Sequence, residues 1–591
     1  MANSNVNLEN IPEIEKMRHT ASHILAQAVL KYYPDAKLGI GPAIDDGFYY
    51  DFQFNEPITD EDLQQIEKEM KRIIDANLPL TQSFMKRKQA EKFFKEKEQR
   101  FKIELLRDIP DKELSFFTTG ENQFVDMCRG PHVESTGKVG AVKLMSLAGA
   151  YWRGNEKQPM LTRIYGLAFK TPKELRKHIT MLEEAEKRDH RVVGKNLGLF
   201  VFSDLVGKGL PLWTAKGATV RRELERFIVD EELKRGYQHV YTPDIAKIDL
   251  YKTSGHYPYY KDSMYAPIKI DEEEFMLRPM TCPHHFELYR SQKRSYRELP
   301  MRIAELAKLY RYEKSGELTG LMRVRSFCLA DAHIVAMPSQ AEEEINQALD
   351  LIEYASQVFG LKANEDYRYR LSLGDRNNSE KYYKDDAAWD FAENVLREVL
   401  KKRDVESYEA PGEAAFYGPK IDIQMKNTVG KEDTAFTVQY DFVMPKRFDL
   451  KYDDEKGEEK EPIVIHRSSI GAIERIMALL IEKYAGAFPL WLAPVQAKIL
   501  PISDSHNKYA QEITQRLQET GFRVVLDNRN ETLQYKIRDG EVNKVPYLAI
   551  VGDKEIGTQT VSVRSRGSKE IGLMKIDEFI QSLQKEIANK S

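Results

Sequence analysis

The chain of 591 residues has few cysteines, only Cys128, Cys282 and Cys328. Three thiols cannot build a disulfide framework, so we expect a reducing environment and a cytoplasmic location. A run of 18 or more apolar residues is missing, and so is a basic N-terminal segment followed by an apolar stretch; we therefore expect no membrane-spanning helix and no signal peptide. The formal net charge of −4 shows no basic excess, which disfavours a non-specific DNA-binding protein but leaves RNA binding through local patches open.

The length predicts three to four domains of about 150 residues each. The segment "HTASHILAQAVLKYY" predicts an amphipathic helix, and residues 60–107 predict charged helices. Within them, "MKRKQAEKFFKEKEQRFK" is either a solvated helix face or an RNA contact. "PKELRKHITMLEEAEKRDHRVVGKNL" predicts one long connecting helix. From residue 493, strands such as "AKILPI" alternate with helices such as "NKYAQEITQRLQET", which predicts a small α/β domain.

The stretch "RPMTCPHHFELYR" places Cys282 close to His284 and His285. Zn²⁺ favours thiolate and imidazole ligands in tetrahedral sites. Adjacent histidines rarely converge on one ion, however, so a buried cysteine beside ordinary histidines remains an alternative. Further candidate ligands, His333 and His466, lie far along the chain in "CLADAH" and "VIHRSS".

Three longer segments resemble the motifs of class II aminoacyl-tRNA synthetases. "VRRELERFIVDEELKRGYQHVYTPDI", with Pro243 near its end, resembles motif 1, a long helix and a strand. "LPMRIAELAKLYRYEKSGELTGLMRVRSFCLADAH" resembles motif 2, two strands around a variable loop, with Arg311 and Glu313 on the first strand. "GAIERIMALLIEKYAG" resembles motif 3, a helix that carries Arg475. With "AFYGPKIDI" and the Cys–His–His candidates, the resemblance points to the threonyl-tRNA synthetases and covers the chain from about residue 15 onward.

The resemblance implies an α+β multidomain fold. It places an α/β editing domain in residues 1–185, a class II catalytic domain with an antiparallel sheet in 190–492, and an α/β anticodon-binding domain in 493–591. It implies ATP-dependent attachment of L-threonine to tRNA(Thr), and a C2 homodimer formed through motif 1. Because the HxxxH pattern of the editing domain begins at residue 19, the chain resembles a short form without the TGS-like domain that most bacterial members carry first.

By the same resemblance, Cys282, His333 and His466 hold one catalytic Zn²⁺. Three protein ligands leave an open position, which the amino and hydroxyl groups of threonine can fill. Valine lacks the hydroxyl and would leave Asp331 without a partner. A site built to bind a hydroxyl can reject its absence by about 10⁴ or more.

The resemblance also implies a site for ATP with Mg²⁺, where arginines and the metal stabilise the charge spread over the phosphates. Without the motif context, each arginine would more simply be a surface ion pair. The residues assigned to phosphates, adenine, the amino acid and catalysis are Arg311, Arg323, Arg475, Phe327, Met280, Glu313, Tyr417, Lys420 and Gln439.

Serine keeps the hydroxyl and lacks only one methyl group, a difference worth about 1–3 kcal/mol. Hydrolytic editing of Ser-tRNA(Thr) is therefore expected, and the HxxxH and CxxxH patterns resemble the threonyl and alanyl editing domains. The two histidines of HxxxH and the cysteine and histidine of CxxxH are also a plausible zinc set, although the threonyl family usually works without zinc at the editing site. On its own, HxxxH on an amphipathic helix could belong to the core or the surface. The editing residues assigned by resemblance are His19, His23, Asp126, Cys128, His132 and Lys143.

In the C-terminal domain, Asn530, Glu555 and Arg564 match base-reading positions of the family. Two other interpretations remain. The Cys–His–His set disfavours another class II synthetase, such as a prolyl or seryl enzyme. The presence of Arg311 and Arg475 disfavours a synthetase-like RNA-binding regulator that no longer charges tRNA.

Overall fold

The computed structural model of the chain describes residues 11–121, 123–567 and 569–590. It separates into two compact units at the junction between Glu183 and Glu184. Across these described ranges, no helix combines the length and the apolar character that crossing a membrane requires. The finer division into ranges 1–185, 190–492 and 493–591 stays a prediction.

The first unit packs helices against two antiparallel sheets. The predicted helix near the N-terminus is confirmed, and it buries Ala21, Leu25 and Ala28. The helices are Glu13–Tyr32, Asp60–Asp75, Arg87–Glu96 and Arg100–Asp108, and Pro172–Arg188 runs across the junction. One sheet has the order Lys37–Leu38, Gly47–Gln53, Met160–Phe169 and Ala141–Tyr151, with Ala43–Ile44 paired to Gly47–Gln53. The other has the order Leu80–Lys86, Glu113–Thr119 and Phe124–Met127.

The prediction of helices throughout residues 60–107 is wrong at one place. Leu80–Lys86 is a strand that pairs residue by residue with Glu113–Thr119. The neighbouring strand satisfies its backbone N–H and C=O groups, a tertiary contribution that the local charge pattern does not report.

The long connecting helix is also two helices, Pro172–Arg188 and His190–Leu197. Asp189 between them has non-helical dihedral angles, φ −47° and ψ 124°. Its carboxylate accepts the N–H of Arg191 at 2.7 Å and caps the second helix. The chain therefore restarts helix formation at this residue.

An eight-stranded sheet forms the core of the second unit. Neighbouring strands are antiparallel except at the two edges, where the outermost strand is parallel to its neighbour. In spatial order the strands are Gln238–His239, Met301–Tyr310, Ser326–Ala336, Ile463–Ala472, Glu432–Asp441, Lys420–Lys426, Tyr367–Leu373 and Ser407–Pro411. The helices of this region are Ala215–Lys234, Ile248–Ser254, His256–Tyr259, Cys282–Arg290, Ala341–Val358, Asp386–Arg403, Met444–Arg447 and Ile473–Tyr484.

Alternate residues of the central strands face two different cores. Ile334 and Ile465 join the larger core, which includes the long helices. Val335 and Val464 join a smaller core with Phe286 of helix Cys282–Arg290. Three small sheets complete the region: Phe200–Val201 with Leu212–Trp213; Ile245–Lys247, Glu273–Leu277 and Ile268–Ile270; Tyr452–Asp453 with Glu459–Lys460.

The motif 2 segment forms two paired strands, as the resemblance implies, but the expected position of its arginine needs correction. Strand Met301–Tyr310 ends one residue before Arg311. The N–H of Arg311 donates to the carbonyl of Arg325, and the N–H of Glu313 donates back to the carbonyl of Arg311, each at 3.0 Å. Arg311 and Glu313 therefore lie on the turn after the strand.

The C-terminal part contains the predicted alternation of strands and helices. Its five-stranded sheet is mixed, with three parallel strands followed by two antiparallel ones. The order is Val524–Leu526, Ala497–Pro501, Tyr547–Val551, Thr560–Ser565 and Lys569–Lys575. The helices are Asn507–Glu519, Leu533–Val542, Asp553–Thr558 and Ile576–Ala588.

Candidate active site

Four neighbouring strands of the eight-stranded sheet supply two rows of polar side chains to one face. In the first row, residues directly opposite each other are His333, His466, Gln439 and Lys420. In the second row, two residues along each strand, they are Asp331, Ser468, Thr437 and Asp422. Side chains two residues apart on a strand point to the same face, so both rows share one surface.

These rows border a cavity of about 690 Å³. Every residue predicted for metal binding, substrate binding or catalysis lines it, namely Met280, Cys282, Arg311, Glu313, Arg323, Phe327, Asp331, His333, Tyr417, Lys420, Gln439, His466 and Arg475. The structure thus brings together residues that are up to 195 positions apart in the chain (Met280 to Arg475). Their individual roles stay predictions.

Cys282, His333 and His466 meet at one end of this constellation. One candidate ligand atom from each lies within 4.8 Å of the others, and all three side chains are buried. Burial lowers the pKa of His333 well below its usual value, which keeps its imidazole neutral, as a metal ligand must be. Burial likewise raises the pKa of the Cys282 thiol, so a bound cation is what would stabilise its thiolate. One sulfur and two imidazole nitrogens suit Zn²⁺ with one open position.

The imidazole of His466 has a buried carboxylate partner. Its Nε2 lies 2.6 Å from Oδ2 of Asp441, which is fully buried. The other oxygen of Asp441 accepts the N–H groups of Val443 and Met444, both at 2.9 Å. A carboxylate that only accepts requires Nε2 of His466 to carry the proton, which leaves Nδ1 available to a metal.

Three arginines, Arg311, Arg323 and Arg475, line the same cavity. Arg475 donates from Nη1 to the carbonyl of Thr434 at 2.7 Å, and Arg323 donates from Nε to Glu313 at 2.8 Å. Burial lowers the pKa of Arg475, and the positive charges of Arg311 and Arg323 lower it further. Arginine stays protonated even so. Three cations held around one cavity favour a polyanionic ligand.

Tyr417 lies over the first row of side chains because of the glycine that follows it. A Cβ at Gly418 would lie 1.7 Å from the carbonyl oxygen of Tyr440, so only glycine permits this close approach. The Tyr417 ring stacks on His466 with centroids 4.9 Å apart. Its hydroxyl donates to Oε1 of Gln439. Tyr417 and Gln439, the two residues predicted for the amino-acid pocket, are therefore hydrogen-bonded to each other.

The remaining predicted residues have distinct surroundings. The guanidinium of Arg311 lies 5.2 Å from the centroid of the Phe327 ring. Lys420 pairs with Asp422 at 2.9 Å. Burial raises the pKa of Asp331.

The sequence analysis did not single out His256, which also lines the cavity. Its ring is buried, and Nδ1 lies 2.8 Å from the hydroxyl oxygen of Ser254. Burial, the largest cause, lowers its pKa to about 3, and the positive charge of Arg447 acts in the same direction. A lone histidine in "SGHYPYY" has no spacing pattern that would have indicated this position.

The first unit contains a second cluster, formed by His19, His23, Cys128 and His132. One candidate ligand atom from each of them lies within 4.8 Å of the others. The rings of His19 and His132 stack with centroids 4.2 Å apart, and the Cys128 sulfur lies 3.0 Å from Nε2 of His132. Burial lowers the pKa of all three histidines. Burial also raises the pKa of the Cys128 thiol to about 12.

Asp126 and Lys143 occupy different surroundings. Asp126 is buried with Lys102, whose Nζ lies 2.7 Å away, and it accepts a hydrogen bond from the hydroxyl of Tyr50. Sequence analysis missed Lys102, whose charge acts on the His19 and Cys128 groups. Lys143 pairs with Glu67 at 3.2 Å, and 45% of its side chain is exposed.

The three predicted anticodon residues do not lie at one edge of their sheet. Asn530 and Glu555 follow the carboxyl ends of the parallel strands Val524–Leu526 and Tyr547–Val551. The carboxylate of Glu555 accepts the N–H of Gly552 at 2.9 Å and caps its own helix. Arg564 instead lies opposite Leu548, near the amino end of its neighbouring strand.

Three segments of the chain match known family models. Residues 265–484 match the tRNA synthetase class II core domain (G, H, P, S and T). Residues 496–586 match an anticodon-binding domain, and residues 114–165 match the threonyl and alanyl tRNA synthetase second additional domain. The fold is that of a class II aminoacyl-tRNA synthetase, which confirms the expected fold class.

Among curated proteins, threonine–tRNA ligase of Anoxybacillus flavithermus is 49% identical over 98% of this chain and 90% of its own. Threonine–tRNA ligase 1 of Bacillus subtilis is 49% identical over 96% of this chain and 88% of its own. The chain belongs to the threonine–tRNA ligase family.

Solved structures lead to the same family. The RNA-binding domain of threonyl-tRNA synthetase from Cryptosporidium parvum, 35% identical, superposes with a TM-score of 0.64 over 67% of this chain and 98% of its own. Prolyl-tRNA synthetase from the same organism, at 18% identity and a TM-score of 0.52 over 68% of this chain and 75% of its own, shares the fold alone.

Proposed function

We propose that the cavity over the eight-stranded sheet activates L-threonine with ATP and transfers the threonyl group to the 3′ end of tRNA(Thr). The observation that carries the proposal is that the Cys–His–His group and three arginines line the same cavity. The Cys–His–His group suits a small amino acid with a hydroxyl, and the arginines suit a polyphosphate. Threonine-dependent exchange of pyrophosphate into ATP tests it.

Cys282, His333 and His466 would hold one Zn²⁺ per chain. Bound there, the ion would supply a Lewis-acidic open position for the amino and hydroxyl groups of threonine. Asp331 stands two residues from His333 on the same strand face, so its carboxylate can accept a hydrogen bond from the hydroxyl of the bound substrate. A substrate without the hydroxyl would leave this buried acceptor unpaired, which costs binding free energy.

Arg311, Arg323 and Arg475 would bind ATP together with Mg²⁺. Their guanidinium groups stabilise the negative charge that builds up as the carboxylate of threonine attacks the α-phosphate and pyrophosphate leaves. Phe327, against the guanidinium of Arg311, offers a flat apolar surface for adenine.

Replacing Arg475 with alanine is expected to lower kcat/KM for ATP by about 10²–10³-fold, the usual effect of removing one preorganised donor. Steady-state pyrophosphate exchange at varied ATP concentration measures this. Arg297→Ala, which removes a guanidinium from an exposed position, is the control and should change little. Equal kcat/KM values for Arg475→Ala and the native enzyme would remove this residue from the phosphate site.

We also propose that the cluster of the first unit hydrolyses Ser-tRNA(Thr). The high pKa of Cys128 keeps it a thiol at neutral pH, so it does not act as a thiolate nucleophile. The neutral histidines and this thiol can instead orient a water molecule and the ester by hydrogen bonds. Lys102 and Asp126 form a buried ion pair beside them.

The C-terminal domain would bind the anticodon of the tRNA. Asn530 is exposed at the carboxyl edge of the parallel strands, where an unstacked base could reach its amide. Glu555 is held by its helix, which makes Asn530 the more accessible of the two.

We further propose a homodimer formed through the region around motif 1. Large apolar side chains are exposed there, with Leu205 fully exposed and Tyr241 94% exposed. Val201, Phe202 and Val206, close to Leu205 in the sequence, are also exposed apolar side chains. A second copy would bury it across a twofold axis.

The double substitution Phe202→Glu with Leu205→Glu is expected to convert the dimer into a monomer, because it places charges on the proposed interface. Light scattering at matched concentrations measures the change in mass. Leu573→Glu, at a partly exposed apolar position of the C-terminal sheet, is the control and should leave the mass unchanged. A native enzyme of monomer mass, or a double variant that stays dimeric, would contradict the proposal.

A further inference from the structure

A buried chain of hydrogen bonds runs from Arg278 to the candidate metal ligand His333. Arg278 donates from Nη1 and Nη2 to Oε1 of Glu305, both at 3.1 Å. Oε2 of Glu305 lies 3.2 Å from Nε2 of His285, and Nδ1 of His285 lies 2.8 Å from Nδ1 of His333. All four residues are at most 2% exposed. Water therefore does not compete for these bonds.

The carboxylate of Glu305 sets the direction of every bond in this chain. Besides Arg278, the backbone N–H of Thr242 donates to it at 3.2 Å and the hydroxyl of Thr242 at 2.7 Å. Burial alone would raise the pKa of Glu305, but the bonds from His285 and Thr242 and the charge of Arg278 lower it to about 2. An ionised carboxylate only accepts, so Nε2 of His285 must donate.

The proton on Nε2 leaves Nδ1 of neutral His285 as an acceptor. Nδ1 of His333 must then carry a proton and donate it. The free lone pair of His333 is consequently on Nε2, the nitrogen that remains for a metal ion. By the same reasoning, the hydrogen bond to Asp441 leaves the lone pair of His466 on Nδ1. Two carboxylates, Asp441 and Glu305, therefore set the tautomers of the two imidazoles at the candidate metal centre.

We propose that His285 and Glu305 are positioning residues of the metal centre, because they impose the metal-binding tautomer and the orientation of His333. This inference rests on the proposed Cys282–His333–His466 site. The two histidines of "CPHH" then differ completely in role. Within the described residues, neither ring nitrogen of buried His284 has a hydrogen-bond partner. His284 is therefore a matched control one position away.

The test measures Zn²⁺ affinity by competition with a chromophoric chelator and the Co²⁺ absorption spectrum. All variants are made in the full chain carrying Cys128→Ala, so that the cluster of the first unit does not bind the probe metal through its thiol. His285→Phe is expected to weaken Zn²⁺ binding by about 10–100-fold, the usual effect of losing such a partner. His285→Gln should recover part of the loss, since its amide oxygen can accept from His333.

Glu305→Gln removes the obligatory acceptor and should weaken binding in the same direction. His284→Phe should stay within about twofold of the parent, and thermal unfolding checks that all variants fold. Equal losses in His284→Phe and His285→Phe would overturn the proposal, as would an unchanged affinity in His285→Phe. The Cys282→Ser variant distinguishes failure of the proposed metal site from failure of the proposed role of His285. If Cys282→Ser binds Zn²⁺ like the parent, the metal site itself is wrong. If Cys282→Ser loses the metal while the His285 and Glu305 variants keep it, only the role of His285 and Glu305 is wrong.

Discussion

Replacing Cys282 with serine is expected to lower threonine-dependent pyrophosphate exchange by about 10⁴-fold. This is the factor by which a site built to bind a hydroxyl typically rejects a substrate whose hydroxyl it cannot bind. A serine hydroxyl is a much poorer zinc ligand than a thiolate, so the ion that would bind the amino and hydroxyl groups of threonine would be lost. The side chain shrinks little in this change, and the fold should survive it. Exchange kinetics and metal content, measured on the same preparation, check both parts.

Cys328→Ser is the matched control for this experiment. Cys328 is also buried in the second unit, but it packs in the larger core and is not part of the ligand group. Its variant should keep both zinc and exchange activity. Normal threonine activation by Cys282→Ser would remove the metal from the mechanism.

The double variant His23→Ala with Cys128→Ala is expected to hydrolyse Ser-tRNA(Thr) about 10²–10⁴-fold more slowly, the usual contribution of positioned acid–base groups. Charging with threonine should be unchanged, because these residues belong to the first unit and the activation cavity to the second. Ser-tRNA should therefore accumulate when the variant is supplied with serine. Deacylation of preformed Ser-tRNA measures the effect directly.

His178→Ala serves as the control for the editing experiment, since His178 lies on helix Pro172–Arg188 and outside the cluster. It should clear Ser-tRNA at the native rate. Native clearance by the His23→Ala, Cys128→Ala double variant would show that the assignment of editing to this cluster is wrong.

The grouping of Cys282, His333 and His466 could be predicted, but only through the resemblance to a family. Local sequence around Cys282 offered His284 and His285, neither of which belongs to the ligand group. The residues that join Cys282 in the group are His333 and His466. They come from strands Ser326–Ala336 and Ile463–Ala472, which are adjacent in space although far apart in sequence. Strand order and register decide which residues face each other, and no local pattern reports them.

The hydrogen-bond partners around the site could not be predicted in the same way. Asp441 and Glu305 each hold an imidazole in one tautomer, yet in the sequence they are ordinary acidic residues within strands. His284 and His285 differ because consecutive side chains on a helix point about 100° apart. Lys102 was missed because its basic stretch is typical of a solvated surface, whereas the residue is only 3% exposed.

Local competition between elements explains the wrong secondary-structure predictions. The charge pattern across residue 189 favours a continuous helix, but the capping bond from Asp189 ends one helix and starts the next. In Leu80–Lys86, pairing with a neighbouring strand outweighs a helical preference of its surroundings.

The most direct test of the metal-dependent selection of a hydroxyl is pyrophosphate exchange with threonine, serine and valine, before and after a chelator removes the metal. With metal, we expect activity with threonine, appreciable activity with serine, and rejection of valine by about 10⁴-fold. After chelation, activity with threonine and serine should disappear together and return when Zn²⁺ is added. Discrimination between threonine and valine that persists in fully active, metal-free enzyme would contradict the account.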